Sequence, residues 1–112
     1  MDDNWPIKGF HAHLYYDADE VEIAQNFARA ASEKFKLAIG QFHLKPVGPH
    51  PRGSCQLSMS PETFAEFALW AIATRGEMTI FAHGLSGDDL DDHTRYVLWF
   101  GPSEQLDLSI FG

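Results

Sequence analysis

Gly9 to Tyr16, GFHAHLYY, sorts its side chains onto two sides of an extended backbone. Phe10, Ala12, Leu14 and Tyr16 fall on one side, and His11, His13 and Tyr15 on the other. The apolar side must be covered, so the stretch predicts a strand whose sheet has a core face and a second face bearing histidines. Asp17 follows at once, with Glu20 three residues on, an acidic capping pair that suits the positive end of a helix. Ala24, Phe27, Ala28, Ala31 and Phe35 then recur at three and four, the stripe of an amphipathic helix ending near Leu37.

Beyond this β-α start the pattern repeats with a hairpin inside it. Leu37 to Val47 reads as a second strand, VGPHPRGS as a loop stiffened by prolines on both sides of His50, and Cys55 to Met59 as a third strand. Ser60 and Pro61 start a second helix with its stripe at Phe64, Phe67, Ala68, Ala71 and Ile72, and Gly76 stops it. Met78 to Ala82 forms a fourth strand that delivers His83. The order βαββαβ is that of a split βαβ, ferredoxin-like, α+β fold. Tyr96 to Phe100 and the alternating Leu106, Leu108 and Ile110 predict one or two further strands that extend the sheet or meet another subunit.

Composition bounds the rest. A chain of 112 residues is expected to form one domain, residues 1–112, and 45% hydrophobic residues provide a core without staples. Sixteen acidic against eight basic side chains give a formal charge of −8, which repels phosphate backbones and anionic membrane surfaces, so neither nucleic acid nor membrane is an expected partner. No apolar stretch approaches the roughly 20 residues of a membrane span, and Met1 to Asn4 is acidic where a signal peptide is basic. With the lone Cys55 read as a buried small apolar residue, this predicts a soluble cytoplasmic protein.

The chemistry rests on six histidines. His11 and His13, two apart on one strand, place both rings on one face about 6 to 7 Å apart, as two ligands of one metal or as two polar residues on a solvated face. In a split βαβ sheet the first and fourth strands are antiparallel neighbours, which brings His83 near His11. His50 sits in a rigid turn that a simple monomer puts at the opposite end of the sheet from His83, unless that loop folds over the histidine face. His93 follows Asp91 and Asp92, whose carboxylates could orient its ring for acid–base work, or it is a surface residue of an acidic turn. His43 ranks lowest, and Asp88 and Asp89 read as caps of a short helical turn more readily than as ligands. An imidazole set without a thiolate cluster suits ferrous iron, manganese or zinc. No GxSxG, phosphate-cradling glycine loop or CxxC supports serine hydrolysis, nucleotide binding or thiol redox chemistry.

Taken together, FHAHLYYD at 10–17, KPVGPHPRGSCQLSM at 45–59 and HGLSGDDLDDHTRYVLWFG at 83–101 resemble the DOPA 4,5-dioxygenase family. The resemblance implies a ferredoxin-like fold, a homodimer, and iron-dependent extradiol cleavage of a catechol such as L-DOPA with dioxygen. It matches the family's HxH strand to His11 and His13, its GPHP loop to His50, and its histidine-to-DH loop to His83 and His93. One departure is Gly84, where the family more often has proline in HPxTGD. The expected assignments are Fe(II), with zinc or manganese as substitutes, on His11, His13 and His83; His93 and His50 as catalytic groups; and Tyr15 and Arg52 near the substrate. The alternative is a non-catalytic dimeric module of the same fold that binds a small aromatic ligand or a metal.

Overall fold

A computed structural model describes residues 4–112; Met1 to Asp3, most of the acidic start noted above, lie outside the described residues. The expected alternation forms β1, Phe10–Tyr16, the central strand of a five-stranded antiparallel sheet. Glu20 accepts a hydrogen bond from the Asp17 N–H at 2.8 Å, and a short 3-10 turn leads into α1, Val21–Lys34. Then come β2 (Ala38–Ile39), β3 (Gly53–Met59), α2 (Pro61–Thr74) and β4 (Ile80–Gly84). A single turn α3 (Asp89–Asp92), the edge strand β5 (Val97–Phe100) and a 3-10 turn at Leu108–Phe111 complete the chain. Strand order is β2-β3-β1-β4-β5, so β1 lies between the two strands, β3 and β4, that carry its partners.

The core fills one face of this sheet. Ala12, Leu14 and Tyr16 from β1, Leu57 from β3 and Ile80 and Ala82 from β4 meet Ala24, Phe27, Ala28 and Ala31 of α1 and Phe64, Phe67 and Ala71 of α2. Cys55 is fully buried among them, as expected for a small apolar residue, and burial pushes its thiol up to about 11. Ser60 caps α2 by accepting from the Thr63 N–H at 3.1 Å, with Pro61 in the first turn.

Several boundaries differ from the periodicity. The second strand shrinks from Leu37–Val47 to Ala38–Ile39, because the chain leaves the ladder at Gly40 and touches it again only at the His43–Ser54 bridge. Gly53 permits that bridge, since a Cβ there would lie 3.0 Å from the carbonyl oxygens of both His43 and Tyr16. α1 stops at Lys34 and Phe35 is already extended. Ile72, assigned to the buried stripe of α2, is 65% exposed. β4 runs through His83 instead of ending before it. Leu106, Leu108 and Ile110 form no strand: Asp107 accepts from the Ser109 N–H and turns the segment into a 3-10 coil. β5 does add the expected strand beside β4.

Phe67 touches Phe27, Phe35 and Phe64 with no exposure, whereas Leu69, two residues on, is 76% exposed. Phe67→Ala is expected to cost about 3–5 kcal/mol in urea unfolding and Leu69→Ala within about 0.5 kcal/mol. Equal losses would place the core on the wrong face of α2.

Candidate metal and catalytic site

The opposite face of the sheet carries the histidines, and the strand register brings them together. β1 pairs with β4 so that His11 stands directly across from His83, with His13 across from Phe81. On the other flank β3 sets Gln56 across from His13 and Ser58 across from His11. One nitrogen from each of His11, His13 and His83 falls within 4.8 Å of the others, and the Nε2 atoms of His13 and His83 are 3.0 Å apart. His13 and His83 are buried and His11 is half-buried.

Hydrogen bonds fix which nitrogen of each ring is a donor. His83 Nδ1 lies 3.1 Å from the Gly84 carbonyl oxygen, which can only accept, so Nδ1 carries the proton and Nε2 the lone pair. The Gln56 amide donates to the Ser58 hydroxyl at 3.2 Å and to His11 Nε2 at 3.3 Å, a long bond that His11 gives up when that nitrogen takes an ion. Without a cation between them, His13 Nε2–H must donate to His83 Nε2.

The trio lies close to the spacing that a first-row divalent ion requires, short of a small inward shift of its most distant pair. At metal–nitrogen distances of about 2.1 Å, ligands at right angles sit about 3.0 Å apart and opposed ligands about 4.2 Å apart. The His13–His83 separation equals the first figure, and the outer limit of the trio slightly exceeds the second. The backbone carbonyl on His83 Nδ1 supplies the orienting partner that metal-bound histidines use.

His50 joins this group, although its loop belongs to the hairpin at the far end of the sheet. The loop folds back over the histidine face and puts the His50 ring centroid 4.1 Å from that of His13. Tyr16 donates to the His43 carbonyl at 2.8 Å, and the Asp107 N–H donates to the Pro49 carbonyl at 2.9 Å, so strand and C-terminal segment both pin the loop. Tyr15 holds the His50 ring: its hydroxyl is 2.7 Å from Nδ1, and burial pushes its pKa up, so that it stays a phenol and donates. The His50 proton is thereby assigned to Nε2.

His93 packs against His83 with ring centroids 4.2 Å apart and the rings tilted by 41°, yet its neighbours do not orient it as expected. Its Nδ1 donates to the Asp89 backbone carbonyl at 2.7 Å, not to a carboxylate of Asp91 or Asp92. Asp92 is 2% exposed and accepts the Ser86 N–H at 3.0 and 3.1 Å and the Ser86 hydroxyl, which closes the loop behind His83. Asp88 is a cap, accepting from the Asp91 N–H at 3.0 Å. Gly84 packs against Ile7, whose Cγ2 would meet an added Cβ at 2.8 Å.

Arg52 is engaged by acids, with Glu104 at 2.8 and 3.0 Å and Asp17 at 3.3 Å, while its guanidinium lies 5.8 Å from the centre of the Tyr15 ring. Sequence reasoning missed Gln56 and Glu104, and paired Asp92 with His93 where it bonds to Ser86. Of the two missed residues, Gln56 left a signal, since it alternates outward from the buried Cys55 and Leu57.

A cavity of about 200 Å³ opens beside His13, with His43, His50, Ser54 and Gln56 among its walls. Thus His43, ranked last, borders the same space as His13 and His50.

The sequence pattern of the Dopa 4,5-dioxygenase family matches residues 10–110. The chain belongs to that family. It is 30% identical to a DOPA 4,5-dioxygenase of Amanita muscaria over 92% of its own length and 49% of the relative's. An uncharacterized 21.2 kDa protein of Botryotinia fuckeliana is 33% identical over 93% of this chain and 64% of that one. The chain thus spans from about half to under two thirds of these two relatives. A crystal structure from Nostoc punctiforme, of a protein provisionally assigned as a dioxygenase, superposes with a TM-score of 0.91 at 33% identity, covering 99% of this chain and 96% of the other.

Burial depresses the basicity of all four central imidazoles: His50 and His83 fall to about 4, His13 lies well below 6.5, and His11 is lowered. Neighbouring histidines add to the effect at each, while the Gly84 carbonyl partly offsets it at His83. The unfolded chain, titrating near pH 6.5, therefore binds more protons than the folded one in the window between about 4 and 6.5. This contribution to stability is complete above about pH 6.5 and is lost as pH falls toward 4. In chelator-treated protein the thermal midpoint should drop across that window, and His50→Gln should flatten the drop. An unchanged slope in the variant would contradict a buried neutral His50.

Proposed function

We propose that this chain is a metal-dependent dioxygenase that opens the ring of a small ortho-diphenol such as L-DOPA beside its diol, an extradiol cleavage. The scaffold is assigned as ferredoxin-like, and the working form as a cytoplasmic homodimer, in keeping with the family resemblance and the lone buried cysteine. One observation carries the reading: three imidazoles from strands remote in sequence, already neutral by burial, converge at ligand spacing in a chain of this family. No helix among the described residues is long and apolar enough to cross a membrane.

His11, His13 and His83 would hold the cation, with ferrous iron first and manganese or zinc as substitutes. When bound, iron in such a donor set acidifies the diphenol and provides the redox capacity that dioxygen chemistry needs. The protein's own groups supply the proton handling. His93 spends its Nδ1–H on Asp89 and keeps Nε2 as a lone pair, so it is the base that takes the diol's proton. A neutral His50 with its proton on Nε2 donates a hydrogen bond but gives up that proton poorly, so it steadies negative charge developing on a substrate oxygen. Tyr15 works through His50, and Arg52 works at the rim, where it ties Glu104 and the C-terminal segment to β1.

Anaerobic loading with ferrous iron, then catechol and air, tests this with an oxygen electrode and the product's absorbance. The expected result is one dioxygen consumed per ring opened, abolished by His13→Ala or His83→Ala through loss of metal. His93→Ala should retain metal and lose about 10²–10⁴-fold in kcat. Stoichiometric catechol binding without oxygen uptake by the loaded wild type would favour the non-catalytic module instead.

A further inference from the structure

Of two cavities near β1 among the described residues, one adjoins the histidines. The more apolar cavity, about 330 Å³ between Tyr15, Ile23, Arg75 and Met78, lies by the end of β1 away from His11 and contains none of them. The cavity of about 200 Å³ shares His13 with the metal trio and His50 with the Tyr15 relay. A cavity of about 150 Å³ takes up benzene, so this one suits a single aromatic ring with a short substituent.

Its walls carry polar groups but no carboxylate, ammonium or guanidinium among the described lining residues. The amides of Gln41 and Gln56, the Ser54 hydroxyl and the imidazoles of His13, His43 and His50 face it. The nearby Arg52 gives its charge to Glu104 and Asp17. With the diol's oxygens directed at the metal trio, a substituent's carboxylate in this space would lose water without gaining a cationic side chain, inside a chain whose formal charge is −8. Amides and a hydroxyl can still meet hydroxyl groups and aromatic edges.

Resting on the dioxygenase reading, we propose that this cavity seats the substrate's aromatic ring and selects ortho-diphenols whose substituent is uncharged or whose charges remain outside in water. Gln56 is the pivotal side chain, because one amide touches His11 and also lines the cavity, linking ring recognition to the ligand trio. Gln41, exposed where it lines the cavity, sets the charge preference, and Val47 limits the room available.

The test uses zinc-loaded protein, which binds without turnover, and calorimetry with catechol, 4-methylcatechol and 3,4-dihydroxybenzoate. The two neutral diphenols should bind at least about tenfold more tightly than the anion. Gln41→Arg should narrow that gap, and Val47→Phe should weaken all three by about tenfold or more, with both variants keeping the wild-type thermal midpoint. Equal or tighter binding of the anion, no binding of any diphenol, or indifference to both variants would overturn the proposal. Oxygen uptake by the iron-loaded proteins separates the two readings. Binding with these preferences but no uptake retains the cavity assignment and removes the dioxygenase, whereas uptake indifferent to both variants does the reverse.

Discussion

Two imidazole nitrogens held 3.0 Å apart inside the protein are the constraint on which the rest depends. Because the Gly84 carbonyl claims the proton of His83 Nδ1, the Nε2 lone pair of His83 must face either a proton on His13 or a cation shared with it. Desolvation keeps both rings neutral, so a second proton is disfavoured and the pair is left as a ready donor set. The antiparallel register of β1 and β4 fixes this spacing, since a one-residue slip would turn His11 and His13 toward the helices.

The two faces of the sheet divide the labour. Helices α1 and α2 bury the apolar face and supply the packing. The histidine face is covered by irregular segments, each tied by a few specific bonds: Tyr16 to the His43 carbonyl, Asp107 to Pro49, Arg52 to Glu104, and Ser86 to Asp92. Such segments have their polar groups satisfied locally and can carry His50 and His93 to the ring cluster without contributing to the main core. The buried Asp92 places a negative charge near His11 and His83, where it favours a cation and raises both basicities against the effect of burial.

How far the sequence revealed this follows from the range of the forces involved. Alternation in GFHAHLYY and the stripes at Phe27 and Phe67 report burial by neighbours close in sequence, and they fixed β1, the two long helices and the facing of His11 and His13. The approach of His83 to His11 followed from topology alone. His50 did not, because its position depends on a loop held by Tyr15, Tyr16 and a C-terminal segment that no periodicity connects to it. Proximity in sequence misled at Asp92, which lies next to His93 but bonds to Ser86 six residues back. It also misled at Leu106 to Ile110, where an Asp107 cap outweighs apolar alternation. Strand facing, topology and the family resemblance together pointed to the candidate site residues, and the structure supplies their spacing.

X-ray absorption at the metal edge of the iron- or cobalt-loaded protein tests the central claim most directly. The account predicts one ion per chain with about three imidazole nitrogens at about 2.0–2.2 Å, reduced in number by replacing His13 or His83. An ion surrounded by oxygen alone, with a shell unchanged in those variants, would show that the rings do not share a cation.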